Sequence, residues 1–126
     1  MLRSILLLTS FLLFSCNNDE DSENSVYSSQ YNRHIIYTDS VSNFEDDGIV
    51  RVTKKNNLFQ FDFEVKNGKI ESIKEIELEM TGANTLRNVG WTPSKLIMMS
   101  KDSLNIMYRD NSKIWIVNGL KHDTIK

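Results

Sequence analysis

Two hydrophobic patterns divide the chain. The first is an uninterrupted apolar run near the N terminus, SILLLTSFLLF at residues 4–14. The second begins near residue 33, where short runs of alternating apolar and polar residues are separated by turn-forming residues. Alternation with a period of two is typical of strands that bury one face. The pattern predicts an all-β fold, a small antiparallel β-sandwich or β-barrel meander of about seven to eight strands.

The predicted strands follow one another through short connections, as expected for a meander. They lie at HIIYT (34–38), GIVRVTK (48–54), LFQFDFEVK (58–66), KIESIKEIELEMT (69–81), KLIMMS (95–100), LNIMYR (104–109) and KIWIVN (113–118), with a further edge at HDTIK (122–126). LIMM and IWIV are apolar at both parities. Three explanations fit this pattern. The strands are covered on both faces, they close a barrel, or one face, at Met99 or Trp115, contacts a partner.

The clearest local signal is VKNGKI, in which Asn67 and Gly68 stand between β-forming residues. This dipeptide favours a two-residue type I′ hairpin turn, because both central positions need positive φ. The register that follows places Lys74 opposite Phe61, on the buried face of the hairpin. A charge there is costly. We therefore expect a β-bulge near residues 72–74 that shifts the phase; a sheet edge at this point is the alternative.

The N-terminal apolar run has the properties of a secretory signal peptide. Arg3 precedes about eleven uncharged residues, which is short of the roughly 20 that a transmembrane helix needs. The run ends at Ser15, a small residue, and at Cys16, the single cysteine of the chain. A lone cysteine has no disulfide partner within the chain.

Leu13, Phe14, Ser15 and Cys16 resemble the lipobox of bacterial lipoprotein precursors, with an aliphatic residue three before the cysteine and a small one just before it. Phe14 is bulkier than the residue common at that position. The resemblance implies that Cys16 becomes the first mature residue and carries a diacylglycerol, with acyl chains of the palmitate type. Two such chains suffice for stable membrane anchoring. The alternative is a leader that carries a cysteine by chance and is cut elsewhere.

An acidic stretch follows this cysteine. Asn17 and Asn18 are followed by four acids and no base within residues 19–23. The stretch resembles the surface-export signals of Bacteroidota lipoproteins, which implies anchoring in the outer membrane, facing outward rather than into the periplasm. It also suits a plain solvated spacer. We predict a signal peptide at 1–15, a lipidated cysteine with a flexible acidic tether at 16–32, and a β domain at 33–126.

Charge and composition narrow the function classes. The chain carries a net charge of −2, and the part after residue 32 holds 14 basic and 13 acidic residues. A nearly neutral domain without a basic stripe argues against nucleic-acid binding. No hydrolase elbow, zinc-protease helix motif or phosphate-binding glycine loop is present in the sequence. We predict a protein that is not an enzyme and has no cofactor.

Acidic residues concentrate on the polar face of the predicted hairpin, where Asp62 and Glu64 oppose Glu71 and its neighbours. Clustered carboxylates suit calcium. Cross-strand pairing of Glu64 with Lys69 and of Glu71 with Lys66 is the simpler explanation, and we predict no metal site. His34 and His122 have no spaced ligand partners, and we expect them at the surface.

The longest irregular segment, residues 81–93, holds the only proline together with Arg87 and Trp91. Long loops in compact domains are often functional, and Trp and Arg are enriched at binding hot spots. Arg87 and Trp91 are therefore the candidate contact residues. The alternative is that Trp91 covers the open end of the core.

These features together predict a membrane-anchored, non-enzymatic envelope lipoprotein that binds a protein or glycan target. Inhibitors and immunity proteins of the bacterial envelope are examples of that class. The alternative is a structural accessory subunit of an envelope complex, with its apolar C-terminal strands buried in a partner.

Overall fold

The computed structural model describes residues 27–82 and 84–119, and these form an all-β fold without a helix. Nine strands follow in chain order: β1 (Gln30–Thr38), β2 (Asn43–Lys55), β3 (Leu58–Glu64), β4 (Ile73–Ile76), β5 (Leu78–Met80), β6 (Leu86–Asn88), β7 (Lys95–Met99), β8 (Leu104–Asp110) and β9 (Lys113–Asn118). The predicted fold class is confirmed. The further edge predicted at residues 122–126 lies outside the described residues.

All nine strands belong to one antiparallel sheet with the order β4-β3-β2-β1-β9-β8-β7-β6-β5. β1 pairs with both β2 and β9, so the first and last strands are neighbours. The two edge strands, β4 and β5, are separated along the chain by Glu77 alone. One broken strand thus bonds β3 with its first half and β6 with its second, which makes the sheet a nearly closed barrel.

The core lies inside this barrel, where alternate residues of every strand meet. The buried apolar residues are Tyr31, Ile35, Tyr37, Val50, Val52, Phe59, Phe61, Ile70, Ile73, Ile76, Leu86, Ile97, Met99, Leu104, Ile106, Trp115 and Val117. Met99 and Trp115 are inward and buried. The alternate apolar residues of β7 and β9 face outward and are half-buried. LIMM and IWIV are therefore apolar on both faces although these strands belong to the wall of a barrel and do not lie between two layers.

The predicted type I′ turn at Asn67 and Gly68 is wrong. β3 ends at Glu64 and β4 begins only at Ile73, and Asn67 is not among the residues with positive φ. The type I′ geometry occurs instead between β2 and β3, where Asn56 and Asn57 have φ of 54° and 70°.

Long-range contacts of residues 65–72 explain the difference. Ile70 is only 5% exposed and belongs to the core, and the Trp115 indole N–H donates to the carbonyl of Glu71 over 2.8 Å. This segment therefore lies across one end of the barrel instead of completing the hairpin. Burial of Ile70 and the hydrogen bond from Trp115 favour this placement over continued pairing of the hairpin.

The predicted β-bulge is confirmed. Phe59 pairs with Ile76 and Phe61 pairs with Ile73, so the register shifts by one residue between them. Glu75, within the bulge, has a φ of 58°, a conformation that costs a non-glycine residue about 1 kcal/mol. The bulge turns Lys74 outward, where it is exposed, and removes the buried charge that the regular register required.

The structure differs from the sequence-based prediction at the start of the β domain and in the segment 81–93. β1 begins at Gln30, three residues before the expected start of the β domain, and Tyr31 is already buried in the core. The Tyr27 ring packs edge-on against Phe59 at 5.5 Å. The segment expected to be irregular, 81–93, contains the short strand β6.

The barrel has two ends. The end where β1 begins, called the N-terminal end, carries the β2–β3 turn at 56–57 and the connections formed by residues 81–82, 84–85 and 100–103. The opposite end, called the far end, carries the connections at 39–42, 65–72, 89–94 and 111–112.

Candidate functional site

Asn88 directs the chain away from the barrel wall at the far end. β6 pairs with β7 only through Leu86 and Arg87. At the next position the Asn88 side chain takes over: its Oδ1 accepts the Ile97 amide over 2.9 Å, and its Nδ2 donates to the Lys95 carbonyl over 3.0 Å. The side-chain amide satisfies the β7 main chain, so the main chain after Asn88 can separate from β7, while the Val89 amide still donates to the Glu77 carbonyl over 2.9 Å.

A tight turn follows. Thr92 and Lys95 exchange two main-chain hydrogen bonds of 3.1 and 3.0 Å across Pro93 and Ser94. Proline suits the second position of such a turn because its φ is fixed. Gly90, two residues earlier, has a φ of 72°, which favours glycine. Trp91 is thus held between two constrained backbone features.

Arg87 and Trp91, the two predicted contact residues, lie together. The Arg87 guanidinium lies over the Trp91 ring, 5.0 Å from its centroid. The Trp91 side chain remains 44% exposed. The Nε atom of Arg87 is buried and has no hydrogen-bond partner among the described residues. A cation–π contact of this kind contributes about 0.5–1 kcal/mol at an exposed site and fixes the orientation of both side chains.

Apolar side chains surround this pair on the outer face of the sheet. Met98 is the cross-strand partner of Arg87, and Leu96 pairs with Met107 on the next strand. Met98 and Leu96 are half-buried, whereas Val89 and Met107 are 45% and 41% exposed. We call Arg87, Val89, Trp91, Leu96, Met98 and Met107 the Trp91 surface. Exposed apolar side chains grouped around an aromatic residue and an arginine are typical of binding surfaces.

Trp91 does not cover the open end of the core. That position is taken by Trp115, which is 3% exposed and packs against the rings of Tyr37 and Tyr108 at 5.5 and 6.0 Å. The two tryptophans of the chain therefore have different roles. Trp115 is structural, and Trp91 is available for contact.

His34 is buried, and the expectation that it lies at the surface is wrong. Its side chain is 9% exposed, with Nδ1 2.8 Å from an Asp47 oxygen and Nε2 3.0 Å from a Glu45 oxygen. Both ring nitrogens donate only in the protonated ring. The hydrogen bond to Glu45, then that to Asp47, raises the pKa of His34 above its usual value. His122 lies outside the described residues.

Sequence reasoning missed this cluster because its members come together only through the register of β1 and β2. His34 stands directly opposite Asp47, and Glu45 is its diagonal neighbour. The described part of the chain contains no group of three side chains arranged to hold a metal ion. The His34 cluster is therefore an ion-pair cluster that links two strands.

Two acids of the hairpin, Glu64 and Glu71, are paired with bases, but with different ones from those predicted. Glu64 accepts two hydrogen bonds from the guanidinium of Arg51, the shorter being 2.8 Å. Glu71 accepts from Lys113 over 2.8 Å. The predicted partners Lys69 and Lys66 would have required the hairpin to continue past Glu64, which it does not.

A shallow hollow lies at the N-terminal end, against the outer side of the β2–β3 hairpin and the bulge. Its volume is about 310 Å³, and it is lined by Thr53, Lys55, Asn56, Leu58, Phe59, Gln60 and Glu75. Its lining mixes amides, a hydroxyl and one charge of each sign, which gives it no preference for a charged ligand.

The predicted lipid-attachment residue, Cys16, lies outside the described residues. Within residues 27–82 and 84–119 there is no helix with the length and apolarity that crossing a bilayer requires. Comparisons with protein-family models, with curated proteins and with solved structures find no match to this chain.

Proposed function

We propose that this protein is a lipid-anchored, non-enzymatic binding protein of the bacterial outer membrane, and that the Trp91 surface is its target site. The observation that carries this proposal is the cation–π contact of Arg87 with Trp91, on a segment that Asn88 separates from β7. An aromatic residue held in one orientation while 44% exposed loses little conformational entropy on binding. The target is a protein or a glycan of the cell envelope or its surroundings.

The chain enters the barrel at the end opposite Trp91, which supports a binding protein held on a tether. The first described residue, Tyr27, packs on Phe59 near the turn at 56–57, so the chain enters at the N-terminal end. Trp91 lies in the 89–94 connection, at the far end. A lipid on Cys16 would attach through residues 17–26 to the end of the barrel opposite Trp91. An anchor there leaves the Trp91 surface accessible to a target.

The test is affinity capture from native envelopes with the full chain. We expect the wild-type protein to recover one partner, the Trp91→Ala variant to lose it, and mass spectrometry to find acyl chains on Cys16. Val41→Ala, a change at an apolar position that is 88% exposed in the β1–β2 turn, is the matched control and retains the partner. A partner that is captured equally by the Trp91→Ala variant would refute the proposed site.

The anchor has its own control. A Cys16→Ala variant should remain unprocessed or leave the membrane fraction, because two acyl chains on that residue supply the membrane affinity. An unmodified Cys16 in the wild-type protein, with the protein still in the membrane, would contradict the lipoprotein proposal without affecting the proposed binding site.

A second candidate function, a structural subunit of an envelope complex, is favoured by the outer face of β9 and its neighbours. Ile114 and Ile116 face outward and are half-buried, and Ile36 and Met107 are the cross-strand partners of Ile116. Such a subunit would aggregate when expressed alone and recover on co-expression with its partner. A binding protein remains dispersed in detergent without a partner.

A further inference from the structure

The hydrogen-bonding capacity of Arg87 is only partly used. Its guanidinium carbon lies over the Trp91 ring, 5.0 Å from the centroid, and its Nε is buried. Neither Nη atom bonds to another described residue. Because both Nη atoms are unbonded, the Nη end can still donate two parallel hydrogen bonds. That geometry matches a carboxylate.

No acid of the described chain takes that position. Glu79 is the cross-strand partner of Arg87, yet no ion pair joins their side chains within 4.0 Å. By contrast, Arg51 and Lys113 each reach a carboxylate at 2.8 Å. Arg87 therefore differs from these two bases. It has an acid opposite it on the adjacent strand, but its side chain makes no ion pair with that acid.

One further base lies beside the turn that follows Trp91. The Arg109 amide donates to the Ser94 carbonyl over 2.9 Å, and Arg109 makes no ion pair in the described part of the chain. Lys95 is directed elsewhere, because its ammonium lies 5.7 Å from the ring centroid of Tyr108, which packs against the core. Arg109 therefore adds a positive charge on the side of the Trp91 surface toward β8, and Glu77 and Glu79 lie on the opposite side, toward β5.

We propose that the Trp91 surface binds an acidic segment of a protein partner, with a carboxylate on the Nη end of Arg87 and an apolar side chain on the open face of Trp91. This inference rests on the proposed function and names the class of its target. The apolar neighbours Val89, Leu96 and Met107 favour peptide side chains over the hydroxyl groups of a sugar.

The two tryptophans provide the assay. The chain has two indole N–H groups, and that of Trp115 is buried and bonded to Glu71. In a nitrogen–proton NMR spectrum of the full chain in detergent micelles, the Trp91 indole signal reports the site. The Trp115 signal reports the fold and should stay unchanged.

The probes are acetylated and amidated pentapeptides of sequence LELEL, LQLQL and LKLKL, with trigalacturonate as a carboxylated sugar. We expect LELEL to shift the Trp91 signal with an affinity about tenfold above that of LQLQL, since charge-assisted bonds to arginine exceed neutral ones by roughly this factor. LKLKL should bind more weakly than LQLQL. The preference for LELEL should narrow as salt is raised.

Arg87→Gln should abolish the preference for LELEL over LQLQL while leaving the Trp115 signal in place. Arg87→Lys should retain part of it, because a lysine keeps the charge and loses the paired donors. Equal binding of LELEL and LQLQL, no shift with any peptide, or a shift with trigalacturonate alone would overturn this inference. Loss of envelope capture in Trp91→Ala would still uphold the proposed function in each of those cases.

Discussion

The side-chain oxygen of Asn88 accepts the main-chain amide of Ile97 over 2.9 Å, at the position where a β6 carbonyl would otherwise stand. The same amide group donates to Lys95, so one side chain replaces one step of the ladder between β6 and β7. This substitution lets the chain separate from β7 before the segment that carries Trp91, while the Val89 amide remains bonded to the Glu77 carbonyl.

Asn88→Ala should destabilise the protein by about 1–3 kcal/mol, because it leaves the buried Ile97 N–H without a partner and removes one of the hydrogen bonds to the Lys95 carbonyl. The measurement is the free energy of unfolding from urea denaturation. Asn105→Ala, an exposed change on β8, is the control and should alter stability by less than about 0.5 kcal/mol. Equal effects of the two changes would contradict the role assigned to Asn88.

Gly48→Ala should be strongly destabilising. A Cβ at this position would stand 2.6 Å from the carbonyl oxygen of Glu64 and 2.9 Å from a methyl group of Val65, so the backbone must shift. Overpacking of this kind costs about 1–3 kcal/mol. Gly119→Ala, where a Cβ meets nothing within 4 Å, is the matched control and should leave the thermal midpoint unchanged.

Ile70→Ala should lower the free energy of unfolding by about 2–5 kcal/mol, the usual effect of removing a buried isoleucine. Ile70 is 5% exposed at the far end of the barrel, whereas Val41, in the β1–β2 turn at the same end, is 88% exposed. Val41→Ala should change stability by less than about 0.5 kcal/mol. A small effect of Ile70→Ala would mean that residues 65–72 do not cover the core.

Protonation of His34 should stabilise the fold. Because Glu45 and Asp47 raise the folded-state pKa of His34, its contribution is fully present below the unfolded value near pH 6.5 and is lost as the pH rises through the folded-state value. Both carboxylates are partly exposed, so we expect no more than about 1 kcal/mol. The measurement is urea unfolding at pH 6 and pH 8.5.

His34→Gln is the control for that titration. The variant keeps a side chain that can donate a hydrogen bond but does not titrate, so the decline in stability between pH 6 and pH 8.5 should be smaller than in the wild type by the contribution of His34. The same decline in both proteins would show that other groups cause it.

Local rules predicted the meander and failed where distant residues decide the conformation. Lys74 opposite Phe61 was enough to predict the bulge, because the conflict lies within one hairpin. Asn67 and Gly68 have a strong turn signal, yet Ile70 is buried at the barrel end and Glu71 is bonded to Trp115, 44 residues away. No local pattern contains that contact.

The candidate site could be predicted in part for the same reason. Arg87 and Trp91 were identified from residue type and from the length of their segment, and the structure brings them together. Asn88, which bonds the main chain of β7 between these two residues, could not be identified, because its role requires knowing that β7 lies beside it. His34 and its two carboxylates were missed because they meet only in the register of β1 and β2.

The measurement that tests the central claim most directly is partner recovery set against stability for Trp91→Ala in the full chain. We predict that recovery from native envelopes falls at least about tenfold, the scale of a hot-spot change. The free energy of unfolding should fall by less than about 1 kcal/mol, the scale of the lost stacking with Arg87. Unchanged recovery would contradict the claim that Trp91 is the target site, as would a loss explained by unfolding.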